Sequence, residues 1–223
     1  MAIYYLCTMQ LTIQQQQASE AITACYQQLR QSNVVHELFQ QQDVSCWQHY
    51  PEGDVKDDPH HTQYFYHSHP SKDMDRIAEH GHFHIFSKCP PISNVTDYLV
   101  ASEKFLQSEG KKDHLTHLFA IAMNEWGRPT ALFTVNYWVV LGLWYPAEAL
   151  IPLLDDFVVD IPGSPFVVTN QWVTHMVQLF KPYIGDLLLK RDEVIREHQA
   201  AYPDTDVYYD KQLEITSVLS LTG

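Results

Sequence analysis

The apolar positions of the chain change period along its length. In "QQQQASEAITACYQQLRQSNVVHELFQQ", Ile22, Cys25, Tyr26 and Leu29 recur at i, i+3, i+4 and i+7. That spacing draws one apolar stripe on a glutamine-rich helix. "HYPEGDVKDDPHH" places Pro, Gly and Asp at turn positions and reads as loop. "TQYFYHSH" and "GHFHIFSK" are aromatic, alternate, and read as strands. Between them, "PSKDMDRIAE" reads as one helical turn capped by Ser71. "VTDYLVASEKFLQSEG" reads as a short helix stopped at Gly110. "THLFAIAMNEWGRPTALFTVNYWVV" reads as a hairpin that turns at "EWGRP", where Gly127 and Pro129 supply the geometry.

Helical periodicity then returns. Pro146 opens "PAEALIPLLDDF" at a position suited to a first helical turn. "NQWVTHMVQLFKPYIGDLLLKRDEVIREHQA" reads as two helical segments divided at Pro182, which lacks a donor. "QLEITSVLSL" is a candidate late strand. The expected class is α+β in a single domain, residues 1–223. A helical segment spans 1–45, a sheet core 47–145, and C-terminal helices 146–200. The antiparallel sheet comes from the middle of the chain, with a cupin-like or partly closed form as one option.

Charge narrows the partners. Fourteen Lys and Arg stand against 27 Asp and Glu, a formal charge of −13. Phosphate backbones and anionic lipid surfaces select the opposite sign. The chain therefore reads as one with no nucleic-acid or membrane partner, acting on a small molecule, with self-association open. Cys7, Cys25, Cys46 and Cys89 form no CxxC pattern. The first residues lack the charge and apolar run of a secretion signal, so a cytoplasmic location with free thiols is expected. No GxGxxG, P-loop, GxSxG or HExxH is present, which removes the usual signatures of nucleotide, Rossmann and nucleophile-elbow chemistry.

The candidate chemistry lies in "YHSHPSKDMDRIAEHGHFHIF", Tyr66 to Phe86, which holds five of the 13 histidines. Alternation in a strand puts His67 and His69 on one face with Phe65, and His82 and His84 on one face with Phe86. An antiparallel register whose residue numbers sum to 151 would set His67 opposite His84, His69 opposite His82 and Phe65 opposite Phe86. Opposed strand residues lie ~5 Å apart, close enough for imidazoles to converge on one cation. His80, Asp73, Asp75 and Glu79 are candidates to complete the shell. Imidazole suits several divalent metals, and iron or zinc is the leading expectation. Two HxH units also parallel cupin barrels, but the glycine spacing and the following Glu of that pattern are missing. A metal-free polar pocket and a solvated sheet face remain alternatives.

Four stretches carry a family likeness: "HYPEGDVKDDPHHTQYFYHSHP", "EHGHFHIF", "HLFAIAMNEWGRPTALFTVNYWV" and "WYPAE". Over roughly Trp47 to Glu148 the chain resembles an uncharacterised bacterial family of unknown function with GHFH and LFTxN motifs. The resemblance implies that His80–His84 and Asn136 are focal and implies no reaction.

Other residues carry weaker signals. His114 and His117 precede a strand and read as exposed more readily than as ligands. Asn136 reads either as a polar group orienting a substrate or as one satisfying backbone. His175 reads as a satisfied core histidine, and Cys46 near His49 lacks any mark of an activated thiol. Tyr66, Glu79 and Asn136 are the candidate catalytic groups, with Phe65, Tyr66, Phe86 and Trp138 as candidate pocket walls. The leading expectation is a metal-dependent enzyme, of oxidoreductase or Lewis-acid type, acting on a small organic substrate. The alternatives are a non-catalytic protein binding metal, haem or a small ligand, and a protein-interaction module.

Overall fold

A computed structural model describes residues 11–30, 32–40, 42–69, 80–88 and 115–222. Asp73, Asp75, Glu79, His114, and the helices expected over 70–79 and 95–110 fall outside these residues. The architecture is α+β, with a six-stranded antiparallel sheet between an N-terminal helix and a long C-terminal one. The N-terminal stretch forms two helices, α1 (Ile13–Leu29) and α2 (Val34–Phe39). Thr12 and Gln15 close a reciprocal capping box on α1. Asn33 caps α2 by accepting from the Val35 and His36 amides. That second cap breaks the single helix expected from periodicity.

The strands are β1 (Tyr50–Asp57), β2 (Thr62–Ser68), β3 (Gly81–Lys88), β4 (Leu115–Met123), β5 (Pro129–Val135) and β6 (Ile215–Ser220). They lie in sequence order, each antiparallel to the next. Among the described residues the sheet is open, with β1 and β6 at its edges, in place of the cupin-like or partly closed option. β1 is a correction to the loop expected there. Its pairing jumps from Tyr50↔Tyr66 to Val55↔Tyr64, and the intervening Gly53 and Asp54 take positive φ. An edge strand tolerates this irregularity, while Tyr50 and Val55 still reach the core. The β4–β5 turn is as expected: Gly127 has φ +67°, and a Cβ there would lie 2.3 Å from the Asn33 side chain.

Two short helices follow β5: α3 (Tyr137–Val140) and α4 (Ala147–Leu150). The C-terminal helix α5 (Val167–Ala201) then runs unbroken for 35 residues with Pro182 inside it. This corrects the expected division at that proline. Buried Leu179 and Phe180 before it, and Ile184, Leu187 and Leu188 after it, continue one packed stripe. The burial of both halves offsets the missing backbone bond.

The sheet sorts its side chains by parity. Tyr64, Tyr66, Phe83, Ile85, Phe119, Ile121, Met123 and Leu132 join Trp172, Val173 and Val177 of α5 in the main core. On the opposite face Ala120, Ala122, Ala131, Phe133 and Val135 form a second apolar patch. The strand histidines belong to that second face.

Candidate metal centre

The β2–β3 register places the histidines, and it differs from expectation by two residues. His67 lies opposite His82, Phe65 opposite His84, and Tyr66 opposite Phe83. The core face explains the shift. It pairs Tyr64 with Ile85 and Tyr66 with Phe83, apolar with apolar, and Ser68 with Gly81, small with small. The expected register would have set Ser68 against Phe83. Gly81 fits the close approach because a Cβ there would stand 2.2 Å from the His67 carbonyl and 2.5 Å from the Tyr66 hydroxyl. A shift of two preserves the faces, so His67, His69, His82 and His84 still gather on one side.

Their ring nitrogens form a continuous row. His69 Nε2 is 3.2 Å from His67 Nε2, which is 2.8 Å from His82 Nε2. His82 Nε2 is 2.9 Å from His84 Nε2. On its other edge His84 Nδ1 is 3.0 Å from His117 Nε2. One ring nitrogen from each of His67, His69 and His82 falls within 4.8 Å of the others. Among the described residues, that group contains no carboxylate or thiol.

His117 reaches this face through a β-bulge. Ile85 pairs with Phe119 while Phe86 pairs with His117, so Leu118 is an extra residue on β4. Strict alternation from Phe119 would have sent His117 into the main core. Its position before a strand reads as that of an exposed loop histidine, and nothing in the local pattern signals the bulge.

Aromatic rings frame the row. Phe65 and His84 are 5.0 Å apart between centroids, Phe133 meets His82 edge-on at 5.1 Å, and Phe86 lies 5.2 Å from His117. The outer end is more open: Trp47 is 55% exposed, with its ring 4.3 Å from that of His69. His49 stacks on Phe65 and shares a 3.0 Å contact with Asp54.

Burial and neighbouring charges disfavour protonation of His67, His82, His84 and His117. His82 and His84 are held well below the ordinary imidazole range, by burial first and then by neighbouring imidazoles. Burial and the charges of His82, His69 and His49 push His67 down to about 2. Burial, then Arg191, pushes His117 down to about 3. These four shifts favour the neutral form of His67, His82, His84 and His117 at pH 7, which is the ligating form of histidine.

Neutral imidazoles cannot satisfy this row by themselves. Each ring nitrogen offers one N–H or one in-plane lone pair. His67 Nε2 and His82 Nε2 each face two other nitrogens, so at most two of the three Nε2 contacts are ordinary hydrogen bonds at once. A cation accepts several lone pairs together. With bonds of about 2.0–2.1 Å in a tetrahedral shell, neighbouring donor nitrogens stand roughly 3.3–3.4 Å apart, a few tenths of an ångström beyond the 2.8–3.2 Å of this row.

The other sequence candidates lie elsewhere. Tyr66 points to the helix-facing side, where its hydroxyl is 2.7 Å from His80 Nδ1. His80 is not among the converging residues. Asn136 is not a strand residue beside the cluster but the cap of α3. Its amide donates to the Val207 and Leu213 carbonyls and its oxygen accepts from Tyr137. Trp138 donates its indole N–H to Leu213. Phe65 and Phe86 do wall the cluster. His175 shares a 2.9 Å contact with Gln178 on α5, and Cys46 is an exposed free thiol.

A family model described as "Domain of unknown function (DUF6969)" matches residues 16–221. The chain belongs to this family. Membership extends well beyond the Trp47–Glu148 stretch that carried the likeness. No curated protein and no solved structure matches the DUF6969 chain. Among its described residues, no helix is long and apolar enough to cross a membrane.

Proposed function

We propose that this DUF6969 protein binds one divalent transition metal, iron or zinc, through Nε2 of His67, His69 and His82, with His84 as a fourth ligand. The carrying observation is the convergence of ring nitrogens that protons cannot satisfy together. The all-imidazole donor set suits Zn, Fe, Cu and Ni and disfavours Mg and Ca.

The use we infer for the metal is catalytic, as a Lewis acid or oxygen activator that takes a small organic substrate at a fifth or sixth position beyond the four imidazoles. The approach is from the outer end, where Trp47 is exposed and His67 and His69 are half-buried. A second reading, metal storage or structural binding without turnover, is favoured by the depth of His82 and His84, 6% and 1% exposed. Cobalt separates the two. A cobalt-loaded protein whose visible bands shift on adding azide has an exchangeable position and supports the catalytic reading. Bands that ignore azide support storage. Failure to take up cobalt, zinc, iron, copper or nickel at neutral pH refutes both.

A further inference from the structure

His84 has an imidazole nitrogen at each edge. Its Nε2 faces His82 Nε2 at 2.9 Å, and its Nδ1 faces His117 Nε2 at 3.0 Å. A neutral imidazole carries one proton, and its position decides what His84 can do. With the proton on Nδ1, His84 donates to His117 and turns a lone pair toward the Nε2 group. With the proton on Nε2, His84 points an N–H into that group and is not a ligand. His84 is 1% exposed, so bulk water is not at hand to take over the role of His117.

We propose that His117 is a positioning residue. Its Nε2 accepts from His84 Nδ1–H and so presents the His84 Nε2 lone pair to the metal. The inference rests on the metal-binding reading and adds a tautomer-setting partner to it. Ligating histidines are commonly oriented in this way through their second nitrogen. The fold supplies an independent observation. The extra residue Leu118 interrupts the β3–β4 ladder, and its consequence is that His117 stands on the histidine face opposite Phe86. Bulges recur beside functional sites because they re-aim a side chain. Phe86 packs on the His117 ring at 5.2 Å and holds it against His84.

The test has two independent parts. In metal-free wild-type protein with ¹⁵N-labelled histidine at pH 7.5, the ring-nitrogen shifts should show His84 as the Nδ1–H tautomer. An Nε2–H tautomer overturns the proposal. Zinc and cobalt affinities are then compared for wild type, His117→Gln and His117→Leu. Gln offers an oxygen acceptor in place of Nε2 and should stay within a few-fold of wild type. Leu offers none and should lose about 10–100-fold, with altered cobalt bands. Leu binding as tightly as wild type, or Gln binding as weakly as Leu, overturns the proposal. If His117→Leu does not fold, the wild-type tautomer and the Gln variant decide. Wild-type protein that binds no metal refutes the metal reading, while the His84 tautomer still judges the His84–His117 pair.

Discussion

Acidification from pH 7.5 to 5 should destabilise the metal-free protein by about 6 kcal/mol. The magnitude comes from three buried imidazoles: His82, His84 and His117, at 6%, 1% and 8% exposure. Burial is the leading cause that keeps each neutral in the fold. In the unfolded chain each titrates near 6.5 and by pH 5 has gained roughly 2 kcal/mol from protonation. A depressed folded pKa means that the unfolded state binds more protons. Stability is therefore fully present above about pH 6.5 and is lost as pH falls toward the folded values, about 3 for His117. His67, held near 2 but partly exposed, adds in the same direction by a discounted amount. The loss is comparable with the ~5–15 kcal/mol that holds a typical domain together.

The assay is urea unfolding with chelator present at half-unit steps of pH. Between pH 6 and 5 the unfolding free energy should fall by about 4 kcal/mol per pH unit, close to three protons. His117→Phe should reduce that slope by about one proton. Asp58, held low by the hydrogen bond from Lys88, acts only in the carboxylate range and leaves this window clear. A slope of one proton or less between pH 6 and 5 would refute a buried, neutral imidazole row.

Further predictions concern single residues. Phe83→Ala should cost about 3–5 kcal/mol, because Phe83 is fully buried in the main core, yet leave metal per folded molecule unchanged. His84→Ala, one residue along and on the other face, should do the reverse in paired metal analysis and thermal melts. Gly81→Ala should destabilise by about 1–3 kcal/mol and weaken metal binding, since the added Cβ meets the His67 carbonyl and Ser68 backbone. Asn136→Ala should cost about 1–2 kcal/mol through two lost hydrogen bonds and a lost cap, since the Leu213 and Val207 carbonyls still accept from Trp138 and the Asp210 amide, with metal content intact. Depleted metal in folded Asn136→Ala protein would return that residue to the site.

The sequence carried the class, most strands and the shared face of His67, His69, His82 and His84, because those follow from periods of two and of about 3.6. What escaped it depends on long-range packing. The register turned on Tyr66 meeting Phe83 and on the space that Gly81 leaves. β1 reads as turn residues because its Gly53 and Asp54 form an irregularity on an edge strand. His117 joined the row through one extra residue in β4, and Trp47 came beside His69 through a backbone bond from its amide to the Ser68 carbonyl. Pro182 failed to divide α5 because burial on both sides outweighed a single missing donor. Of the two readings of Asn136, the backbone-satisfying one matches its bonds to the Val207 and Leu213 carbonyls, though as a helix cap and not within a strand.

The central claim is most directly tested by elemental analysis of untagged protein purified at neutral pH without chelator, beside its His82→Ala variant. His82 sits in the middle of the row, with nitrogen contacts to both His67 and His84. The account predicts close to one transition-metal ion per wild-type chain, and a loss of most of it in variant protein that still shows the wild-type circular dichroism. Metal-free wild-type protein that also fails to take up added zinc or iron, or equal metal in both proteins, would contradict it.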